Sequence, residues 1–558
     1  MKILLCVLLT TVFPVHVHSL WPIPRAMQSG STPLLLANDL NIQYKFSNVP
    51  SDLQAAVAQT KKFLQTDQLG RLVVDRGASD LPLISKASRL STLSLALHGT
   101  GKPLSISQVA VSALETRDES YTLNVPADGS AASLTANTTL GLFRGLTTFG
   151  QLFFFTSGQT YTLKAPFTIT DSPAYPYRGF MLDTARNFFP VADIQRTLDA
   201  MSWVKTNTFH WHIVDSQSFP LQVPGFPELS AKGAYASNLV YTPADVQNIV
   251  SYAAARGIDV LVEIDTPGHT SVISKSHPEL IACAESTPWA SFANEPPAGQ
   301  LRFTSPTTTN FTASLLSAVA KLFPSKLMST GGDEINQNCY NTDAETQSDL
   351  KAQGRTFEQA LDVFTQATHG AVRASGKTPV VWEEMVLSHN VTLSNDTIAM
   401  VWISSEDAAA VAQKGFRIIH APSDYFYLDC GHGGWVGAFP SGNSWCDPFK
   451  TWQKAYTFNP LANIAPAQNH LILGGEHLLW TEQSSPSNLD SIVWPRAASS
   501  AEVFWTGPTQ PTGQPLDVRE ALPRLHEIAF RMQKRGVNAI PLQPLWCALR
   551  PDACDIDR

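Results

Sequence analysis

The feature that most constrains the fold is a regular alternation of strand-like and helix-like segments in the second part of the chain. Eight runs rich in β-branched and aromatic residues recur there, and helical runs separate most of them. The strand-like runs are residues 178–185, 207–215, 258–265, 327–334, 378–385, 398–404, 416–423 and 471–480. Eight strand–helix units in succession predict a (β/α)8 barrel, the TIM barrel.

The run 242–257 illustrates the helical segments between these strands. Thr242 can cap the helix, Pro243 suits its first turn, and Asp245 interacts favourably with the positive end of the helix dipole. Gly257 suits the residue that follows a helix. Together these signals predict a helix over most of the run.

The first part of the chain has a different pattern, in which short strand-like and helix-like runs are mixed. The clearest examples are the strand-like runs 71–75, 92–99 and 120–126 and the helix-like runs 52–65 and 140–155. Such a mixture predicts an α+β domain. We place this domain at residues 20–173, because the proline-rich segment 171–179 has the extended character of a linker. The barrel, with two C-terminal helical stretches, would occupy residues 174–558.

Residues 1–19 have the features of a secretory signal peptide. Lys2 supplies the positive end, residues 3–13 are apolar, and residues 17–19 form a plausible cleavage site. The apolar run is too short for a membrane span, which needs about 20 residues, and no later segment is long enough. We therefore expect a protein without a membrane span that is secreted or held in a secretory-pathway compartment.

Charge argues against nucleic acid as a partner. The 558 residues carry a net charge of −8, from 39 basic and 47 acidic residues, and they contain no run of Lys and Arg. Proteins that bind nucleic acid or an anionic membrane usually present a basic surface. We expect neither partner for this chain.

Cysteines and glycosylation sequons agree with a secretory route. Removal of Cys6 with the signal peptide leaves six cysteines, an even number that suits three disulfides in an oxidising compartment. Nearest-neighbour pairing would join Cys283 with Cys339, Cys430 with Cys446, and Cys547 with Cys554, although the sequence alone leaves other connectivities open. The Asn-x-Ser/Thr sequons, which are typical of glycosylated surface loops, are at Asn137, Asn310, Asn390 and Asn395.

Barrel enzymes place their catalytic residues at the C-terminal ends of the strands. Acids, one histidine and several aromatic residues end or follow seven of the eight strand-like runs in this chain. They are Asp215, His269, Asp333, Glu334, Trp382, Glu383, Glu384, Trp402, Tyr425, Tyr427, Asp429, Trp480 and Glu482. Carboxylates can hold sugar hydroxyls and indole faces pack against sugar rings, so the set predicts a carbohydrate site.

Each of these residues also has a structural explanation when it is considered alone. A tryptophan on a strand is often part of the core, and an aspartate at a strand end often caps the next helix. Glu383 and Glu384 could be solvated loop charges, and the pattern does not separate the two. The carbohydrate hypothesis depends on the convergence of the whole set on one rim.

The segment 329-STGGDEIN-336 places Asp333 and Glu334 side by side behind two glycines. Glycosidases that use two carboxylates hold them about 5–9 Å apart, on opposite sides of the bond that they cleave. Neighbouring strand residues point in different directions, and Gly331 and Gly332 leave the backbone free to bend. We therefore expect the two carboxylates to reach different parts of a substrate.

His210 and His212 permit a rival interpretation. They are two residues apart and share a face of a strand, and such a pair on a barrel strand can bind a catalytic metal ion. A metal-dependent hydrolase, with His269 and His420 near other strand ends, is therefore the second hypothesis. The interpretation that we favour is that both are hydrogen-bonded interior histidines. Strict alternation puts Asp215 on the opposite face, so the strand must end or bend before it.

Longer segments resemble the β-N-acetylhexosaminidases of glycoside hydrolase family 20, secreted fungal members in particular. They are 144-RGLTTFGQL-152, 178-RGFMLDTARNFFP-190, 205-KTNTFHWHIVDSQSFP-220, 262-VEIDTPGHT-270, 329-STGGDEIN-336, 381-VWEEM-385, 425-YFYLDCG-431 and 474-GGEHLLWTE-482. The resemblance implies a zincin-like α+β domain followed by the barrel. It also implies exo-acting hydrolysis of terminal, non-reducing β-linked N-acetylglucosamine, or also N-acetylgalactosamine, from chitooligosaccharides or glycoconjugates.

The resemblance further implies a retaining, substrate-assisted mechanism, in which the 2-acetamido oxygen of the substrate is the nucleophile and an oxazolinium intermediate forms. Glu334 would be the general acid and then the base, and Asp333 would orient the acetamido N–H. Tyr427 would donate a hydrogen bond to the acetamido carbonyl. Asp215 and His269 would form a hydrogen-bonded relay that tunes Glu334. No metal ion and no organic cofactor are implied.

The same resemblance implies which residues hold the sugar. They are Arg178, Trp382, Trp402, Tyr427, Asp429, Trp480 and Glu482. The tryptophans would line the floor, the arginine would hold the 3- and 4-hydroxyls, and the two acids would hold the 4- and 6-hydroxyls.

Two further hypotheses use the same fold, a non-catalytic sugar-binding protein and a chitinase. Asp333, Glu334 and Tyr427 argue against the first, because a binding protein does not need an acid. The family pocket is closed around one terminal sugar, which argues against the open cleft of the second. A homodimer is implied by the resemblance alone.

Overall fold

The computed structural model describes residues 20–99 and 101–557, so the signal peptide predicted at residues 1–19 lies outside the described residues. The N-terminal part contains the strands β1 (Ala26–Tyr44), β2 (Ser88–Leu97), β3 (Tyr121–Val125), β4 (Ala132–Ala136), β5 (Phe154–Thr156) and β6 (Gln159–Asp171). They form one mixed sheet in the order β1-β2-β4-β3-β6-β5, in which β1 also pairs with β6.

Helices cover this sheet. They are α1 (Ser51–Thr66), α2 (Leu81–Ile84), α3 (Ile106–Ala110) and α4 (Thr139–Gln151), with short 3-10 turns at Ala78–Asp80 and Leu114–Thr116. The longest two, α1 and α4, pack against each other and bury leucines of the sheet, which form a core of their own. The predicted mixture of strands and helices is therefore present.

The strand predicted at residues 71–75 is wrong, because this stretch forms a turn. The Asp75 carboxylate accepts the backbone N–H of Gly77 at 3.0 Å and that of Ser79 at 2.8 Å. An aspartate that bonds the backbone just ahead of it favours a turn over a strand. The helix predicted at 140–155 also ends earlier, at Gln151, and β5 follows it.

The second part of the chain forms the barrel. Its strands are β7 (Tyr177–Asp183), β8 (Thr208–Val214), β9 (Asp259–Ile264), β10 (Ile281–Ala282), β11 (Gln300–Leu301), β12 (Leu327–Ser329), β13 (Thr378–Trp382), β14 (Ile398–Val401), β15 (Arg417–His420) and β16 (Ile472–Leu479). β7–β9 and β12–β16 close into a parallel barrel of eight strands, whereas β10 and β11 form an antiparallel ribbon outside it. The predicted (β/α)8 barrel and its eight strands are confirmed.

Helices surround the barrel and follow its last strand. They are α5 (Val191–Trp203), α6 (Pro227–Gly233), α7 (Pro243–Ala254), α8 (Pro306–Ala320), α9 (Gln337–Thr342), α10 (Ala344–Gln353), α11 (Phe357–Ala374), α12 (Glu384–Leu387), α13 (Ala408–Gln413), α14 (Trp452–Tyr456), α15 (Leu489–Val493), α16 (Ala498–Thr506), α17 (Val518–Lys534) and α18 (Leu545–Ala548). Further 3-10 turns lie at Ser271–Lys275, Pro278–Leu280, Trp289–Ser291, Ser405–Asp407 and Pro466–Leu471. At the start of α7, Thr242 and Asp245 cap each other's backbone N–H groups, as their spacing predicts.

The barrel strands are shorter at their C-terminal ends than the sequence predicts. β12 ends at Ser329 instead of residue 334, and a register shift between β8 and β9 lies at His212 and Val214. β8 therefore ends before Asp215, as the alternation argument required. Loops take over at this rim, and they carry the polar side chains of the site.

Buried ion pairs join the N-terminal sheet to the barrel. Glu119 accepts hydrogen bonds from Arg144 on α4 at 2.7 Å and from Arg178 on β7 at 2.6 Å. Lys205, which precedes β8, pairs with Asp171 at the end of β6 at 3.0 Å. All of these side chains are almost completely buried, and each charge in the contact is paired with an opposite charge.

The structure contains three disulfides, and their pairing agrees with the nearest-neighbour prediction. They are Cys283–Cys339, Cys430–Cys446 and Cys547–Cys554. The asparagines of the four sequons, Asn137, Asn310, Asn390 and Asn395, are exposed. Within residues 20–99 and 101–557, no helix combines the length and the apolar character that a membrane span needs.

The Glu119 contacts predict a pH-dependent loss of stability in Glu119→Gln. Burial opposes the charge of Glu119, but Arg178 and Arg144 outweigh it and lower its pKa to about 2. The substitution leaves two buried guanidinium groups without a counter-ion, which costs about 3–5 kcal/mol. We expect a clearly lower urea midpoint for the variant at pH 7. The difference from the wild type should shrink as the pH falls from about 4.5 towards 2, because the stabilising charge is then lost.

The matched control is Glu115→Gln. Glu115 lies on the surface, half exposed beside Arg417, where an ion pair contributes little. Its urea midpoint should stay within a few tenths of a molar unit of the wild type at every pH. Equal midpoints for the two variants would contradict a structural role for Glu119.

Candidate active site

A cavity of about 360 Å³ opens at the C-terminal rim of the barrel. Most of the residues singled out from the sequence line it, namely His269, Asp333, Glu334, Trp382, Trp402, Tyr427, Asp429, Trp480 and Glu482. Asp215 lies directly behind His269, with its Oδ1 atom 3.1 Å from the Nδ1 atom of the ring. The seven strand ends therefore bring their side chains to one place.

The loop after β12 depends on two glycines. Gly331 and Gly332 have φ angles of 68° and 97°, in the left-handed region that favours glycine. A Cβ atom on Gly331 would lie 1.8 Å from Oδ1 of Asp265, and one on Gly332 would lie 2.4 Å from Cγ of Met385. Neither position has room for a side chain. Glycine at both positions lets the backbone turn sharply before Asp333.

The turn separates the two adjacent carboxylates. Asp333 is buried, whereas the side chain of Glu334 keeps 26% of its surface exposed at the cavity. Glu334 itself has a φ of 52°, a strained value for a residue with a side chain. The divergence that the sequence suggested is present, but it comes from this turn and not from strand alternation, because β12 has already ended.

His269 links the two carboxylates to Asp215. Its Nε2 atom lies 3.4 Å from Glu334 Oε2 and 3.7 Å from Asp333 Oδ2. Burial disfavours the charged ring, but Asp215 and Asp333 outweigh it and raise the pKa of His269 well above 6.5. Although burial opposes its charge, Arg186 and His269 hold the pKa of Asp215 well below its usual value. The ring is therefore an imidazolium between carboxylates.

Asp265, which the sequence analysis did not single out, is paired with Asp333. Asp265 Oδ1 accepts the backbone N–H of Gly332 at 2.9 Å, and its other oxygen lies near Asp333 without a donor of its own. Burial raises the pKa of Asp265 to about 7. Burial and the charge of Asp265 raise the pKa of Asp333 well above its usual value. Two such carboxylates share one proton at neutral pH.

Aromatic side chains form the walls of the cavity. Trp382 is fully buried at its floor, with its ring centroid 6.3 Å from that of Trp480. Trp402 and Tyr427 lie nearly parallel, at an interplanar angle of 11° and a centroid distance of 6.3 Å. Trp445 packs edge-on against both of them and remains 66% exposed at the mouth. These surfaces can cover both faces of a sugar ring.

Glu383 and Glu384 are not solvated loop charges. Glu383 is buried and accepts the backbone N–H of Trp402 at 2.7 Å, and Glu384 accepts the indole N–H of Trp402 at 2.8 Å. The second oxygen of Glu384 faces the backbone N–H of Glu334 at 3.4 Å. Burial is the main cause that raises the pKa of Glu383 to about 9 and that of Glu384 to about 8. The pair fixes the orientation of Trp402.

The polar end of the cavity is organised around Arg186. This guanidinium pairs with Asp183 at 3.3 Å, Asp215 at 3.1 Å and Glu295 at 2.5 Å, and it stacks on Trp480 at 5.0 Å. Burial opposes its charge, but the carboxylates outweigh it and raise the pKa of Arg186 well above its usual value. Arg186 is therefore a fixed cation on the cavity wall.

Asp429 and Glu482 line the same cavity as this arginine. Burial raises the pKa of Asp429 to about 7, and burial likewise raises that of Glu482 well above 4.5. Oδ1 of Asp429 and Oε1 of Glu295 are buried without a partner among the described residues. Such atoms are ready to accept hydrogen bonds from a ligand with several hydroxyl groups.

The structure contradicts the assignment of Arg178 to the sugar pocket. Arg178 lies near the N-terminal end of β7, is 1% exposed, and donates to Glu119 and to the carbonyl oxygens of Lys205 and Tyr175. Catalytic residues of a barrel lie at the opposite rim. Arg186, which follows the C-terminal end of the same strand, is the arginine that lines the cavity.

The histidine pair has the hydrogen-bonded interior arrangement. His210 and His212 are fully buried, and every ring nitrogen of the two faces a carboxylate oxygen at 2.6–2.8 Å. A ring nitrogen that donates a hydrogen bond has no lone pair for a metal ion. The metal-site interpretation of this pair is therefore not supported by its surroundings.

Two other groups of described residues bring three possible metal-ligating atoms within 4.8 Å of one another. One of them contains Cys430 and Cys446, which are joined in a disulfide and offer no thiolate. The other consists of Asp265, His269 and Asp333, in which Oδ2 of Asp265 and Oδ1 of Asp333 have no hydrogen-bond partner among the described residues. The first group therefore offers no thiolate ligand, whereas the second has two unpartnered carboxylate oxygens beside the charged ring of His269.

Several residues of the site do not stand out in the sequence. Arg186 and Asp265 lie inside the quoted segments 178–190 and 262–270, and each follows the end of a strand, which could have revealed them. Glu295 and Trp445 lie on long loops that the disulfides Cys283–Cys339 and Cys430–Cys446 bring to the rim. Their positions have no sequence signal apart from the cysteines.

Comparison with known proteins gives a consistent result. A model of the catalytic domain of glycosyl hydrolase family 20 matches residues 175–508, and a model described as beta-acetyl hexosaminidase like matches residues 20–152. A beta-hexosaminidase of Arthroderma benhamiae is 35% identical over 460 residues, which cover 79% of this chain and 74% of the relative. A chitooligosaccharidolytic beta-N-acetylglucosaminidase of Ostrinia furnacalis is 37% identical over 457 residues, covering 78% and 75%.

Solved structures share the fold. The chitobiase of Flavobacterium johnsoniae superimposes with a TM-score of 0.74 at 26% identity, over 93% of this chain and 73% of that chain. The β-N-acetylhexosaminidase of Streptomyces coelicolor gives a TM-score of 0.71 at 24% identity, over 95% and 99%. The second comparison supports the architecture alone.

The loop geometry predicts that Gly331→Ala is highly damaging. The new Cβ atom would overlap Asp265 and displace the carboxylate that holds the backbone of Gly332, so Asp333 and Glu334 would move. We expect at least a 100-fold loss of hydrolytic activity, which corresponds to about 2.7 kcal/mol, with a folded protein by circular dichroism.

Gly370→Ala is the control for this substitution. Gly370 lies in α11, and a Cβ atom there meets nothing within 4 Å. Alanine is favoured over glycine inside a helix by about 1 kcal/mol, so this variant should melt at the same or a higher temperature and keep full activity. Full activity in Gly331→Ala would contradict the steric argument.

Proposed function

The chain belongs to glycosyl hydrolase family 20 and is a β-N-acetylhexosaminidase, and we propose that it uses the acetamido group of its own substrate as the nucleophile. The observation that carries this proposal is the divergence of Asp333 and Glu334 at the turn after β12. Only one of them is open to the position of a leaving group. The acetamido group of the substrate then takes the role of the nucleophilic carboxylate that a retaining glycosidase usually has.

Glu334 would act as the general acid and base. It is the more exposed of the two acids, and its Oε2 atom lies 3.4 Å from the imidazolium of His269. In the first step Glu334 gives its proton to the glycosidic oxygen as the bond to the anomeric carbon breaks. The carboxylate that forms is stabilised by the imidazolium, and it then takes a proton from the water that attacks the intermediate.

Asp333 would orient the nucleophile. The acetamido oxygen forms a bond to the anomeric carbon, and the positive charge of the resulting oxazolinium ring develops on the acetamido nitrogen side. The single negative charge that Asp333 shares with Asp265 can accept the N–H and stabilise this charge. Tyr427 would donate its hydroxyl hydrogen to the acetamido oxygen. Holding the reacting atoms in attack geometry can contribute up to about 7–11 kcal/mol.

The rest of the sugar would be held by the polar end and the aromatic walls. Arg186, in place of Arg178, would bind ring hydroxyls, and Asp429 and Glu482 would accept hydrogen bonds from the hydroxyls farther along the ring. Trp382, Trp402 and Trp480 would pack on the ring and on the acetamido methyl group. The enclosed floor supports removal of one terminal residue at a time.

The mouth of the cavity favours β-linked oligosaccharides as substrates. Trp289, Trp435 and Trp445 line the rim, and Trp435 and Trp445 are 41% and 66% exposed. Indole faces in this position can pack on the sugar that follows the terminal one. A relative from Ostrinia furnacalis is described as chitooligosaccharidolytic, which agrees with such a substrate.

The proposal predicts different behaviour of Glu334→Gln on two kinds of substrate. An aryl N-acetylglucosaminide with an acidic leaving group needs little protonation, whereas chitobiose needs it fully. We therefore expect kcat on chitobiose to fall about 10²–10⁴-fold, and kcat on the aryl substrate to fall much less. Steady-state kinetics on both substrates measures the ratio.

The matched variant is Asp333→Asn, which should lose activity on both substrates together because the nucleophile is misaligned. An aryl glucoside without the acetamido group should not be hydrolysed by the wild type, and a thiazoline mimic of the cyclised intermediate should inhibit it. Comparable turnover of the plain glucoside would refute substrate assistance. The same panel with an aryl N-acetylgalactosaminide measures which epimers are accepted.

We further infer that the protein is a secreted glycoprotein and a homodimer. The signal-like residues 1–19, the exposed sequons and the three disulfides support the secretory route, and the family resemblance supports the dimer. Expression in a eukaryotic host should deliver the protein to the medium, with glycans on peptides that contain Asn137, Asn310, Asn390 or Asn395. Light scattering should give the mass of two chains. An unglycosylated, cell-retained monomer would contradict all three inferences.

A further inference from the structure

The two interior histidines have no role in the mechanism above, yet they are tied to it by short contacts. His210 places Nδ1 2.8 Å from Glu476 Oε1 and Nε2 2.8 Å from Glu263 Oε2. His212 places Nδ1 2.6 Å from Glu263 Oε1 and Nε2 2.7 Å from Asp215 Oδ2. Each histidine thus bridges two carboxylates inside the barrel.

Asp215 continues the series towards the cavity, through His269 at 3.1 Å and from there to Glu334 at 3.4 Å. We call the complete series the charge ladder. Its members, in order, are Glu476, His210, Glu263, His212, Asp215, His269 and Glu334. Carboxylates and imidazoles alternate at every step, and the last two members, His269 and Glu334, line the cavity.

The geometry fixes the protonation of the histidines. A ring nitrogen that faces an ionised carboxylate must donate, so a ring with carboxylates at both nitrogens is an imidazolium. Burial opposes this charge, but Glu476 and Glu263 outweigh it and raise the pKa of His210 to about 9. Burial is likewise outweighed by Asp215 and Glu263, which raise the pKa of His212 to about 10. Both rings stay charged across the physiological range.

Most of the other polar groups that contact the charge ladder are hydrogen-bond donors. Tyr177 donates to Glu476 at 2.5 Å, Ser329 donates to Glu263 at 2.7 Å, and the indole N–H of Trp382 faces Glu263 at 3.4 Å. Arg186 pairs with Asp215 at 3.1 Å, and the edge of Trp480 packs on His212. Three further carboxylates lie near the cavity end of the charge ladder: Asp333, 3.7 Å from His269, Asp265, which is grouped with both of them, and Glu295, which pairs with Arg186. Tyr177, Ser329 and Arg186 therefore still have Glu476, Glu263 and Asp215 as partners if one histidine is replaced.

We propose that His210 and His212 are permanent cations and positioning residues of the reaction, and that through Asp215 and His269 they set the pH range in which Glu334 can donate its proton. The proposal rests on the proposed role of Glu334 as the acid. It assigns to the His-x-His pair a function that requires no metal ion and no contact with the substrate.

The physical reason is the long range of charge interactions in a buried site. Two unit charges about 10 Å apart in an effective dielectric of about 20 change each other's proton affinity by about one pH unit. A cation at His212 makes it easier for Glu334 to lose its proton. Removal of that cation, while the neighbouring carboxylates stay ionised, makes the acid hold its proton to higher pH.

The experiment uses His212→Gln in the full-length protein. Glutamine can still hydrogen-bond to Asp215 and Glu263 but carries no charge. We expect the alkaline limb of the kcat/KM profile for chitobiose to move to higher pH by about 0.5–1.5 units. His210→Gln should move it in the same direction by a smaller amount, because His210 is two steps farther along the charge ladder.

The matched control is His477→Gln. His477 is also a fully buried histidine of a barrel strand, but it bonds to Ser500 outside the charge ladder, and burial lowers its pKa well below 6.5. Its replacement removes no charge, so the pH profile should keep its position even if thermal stability falls. A purely structural role of the interior histidines would lower stability in all three variants and would leave the alkaline limb unmoved.

An unchanged or acid-shifted profile in His212→Gln, or an equal shift in His477→Gln, overturns the proposal. If His212→Gln does not fold, 15N-histidine NMR of the wild-type protein tests the proposal instead. Two ring signals, assigned through His210→Gln and any soluble His212 variant such as His212→Asn, should keep imidazolium shifts from pH 5 to 8. Neutral tautomers in that range overturn the proposal.

The outcome is separable from that of the proposed function. If Glu334→Gln loses activity equally on both leaving groups, Glu334 is not the acid, and the proposed mechanism fails whatever the histidine signals show. If Glu334→Gln behaves as an acid variant and the pH profile of His212→Gln does not move, the mechanism stands and the charge ladder has no catalytic effect.

Discussion

The contact between Asp265 and the backbone of Gly331 and Gly332 decides where the two acids can go. The carboxylate occupies the volume that a Cβ atom on Gly331 would need, and it accepts the N–H of the next residue. The chain therefore leaves the barrel at once after β12. Asp333 turns inward to share a proton with Asp265, and Glu334 turns outward. The proposed substrate assistance needs this separation, because Asp333 would contact the acetamido group while Glu334 reaches the glycosidic oxygen.

The barrel strands show how much of the site the sequence could reveal. The spacing of strand-like and helical runs is enough to predict the barrel, and the rule that catalysis occurs at the C-terminal rim is enough to collect most of the cavity residues. The family resemblance implies Arg178 against that rule, since it lies near the N-terminal end of β7, and the structure places it in the ionic contact with Glu119. Arg186 lies three residues beyond the end of that strand and faces the cavity.

The remaining errors have two physical causes. Residues 71–75 have the composition of a strand but form a turn. The Asp75 carboxylate accepts nearby backbone N–H groups, and a sheet would have to compete with these local hydrogen bonds. Glu295 and Trp445 reach the rim on loops whose path is set by disulfides and by packing. No periodicity in those loops predicts which side chain faces the site, so pairing of cysteines was the available signal.

The His-x-His motif shows why a local pattern does not define a function. Two histidines on one face of a barrel strand could hold a metal ion if their ring nitrogens met an open cavity. Here the facing positions belong to Glu263 on β9 and Glu476 on β16, which are distant in sequence and lie 2.6–2.8 Å from the ring nitrogens. Carboxylates on both sides convert each imidazole into a cation, and a cation cannot be a metal ligand. The carboxylates of the neighbouring strands therefore decide whether the two histidines form a metal site or part of the charge ladder. Closure of the barrel brings these carboxylates next to the histidines.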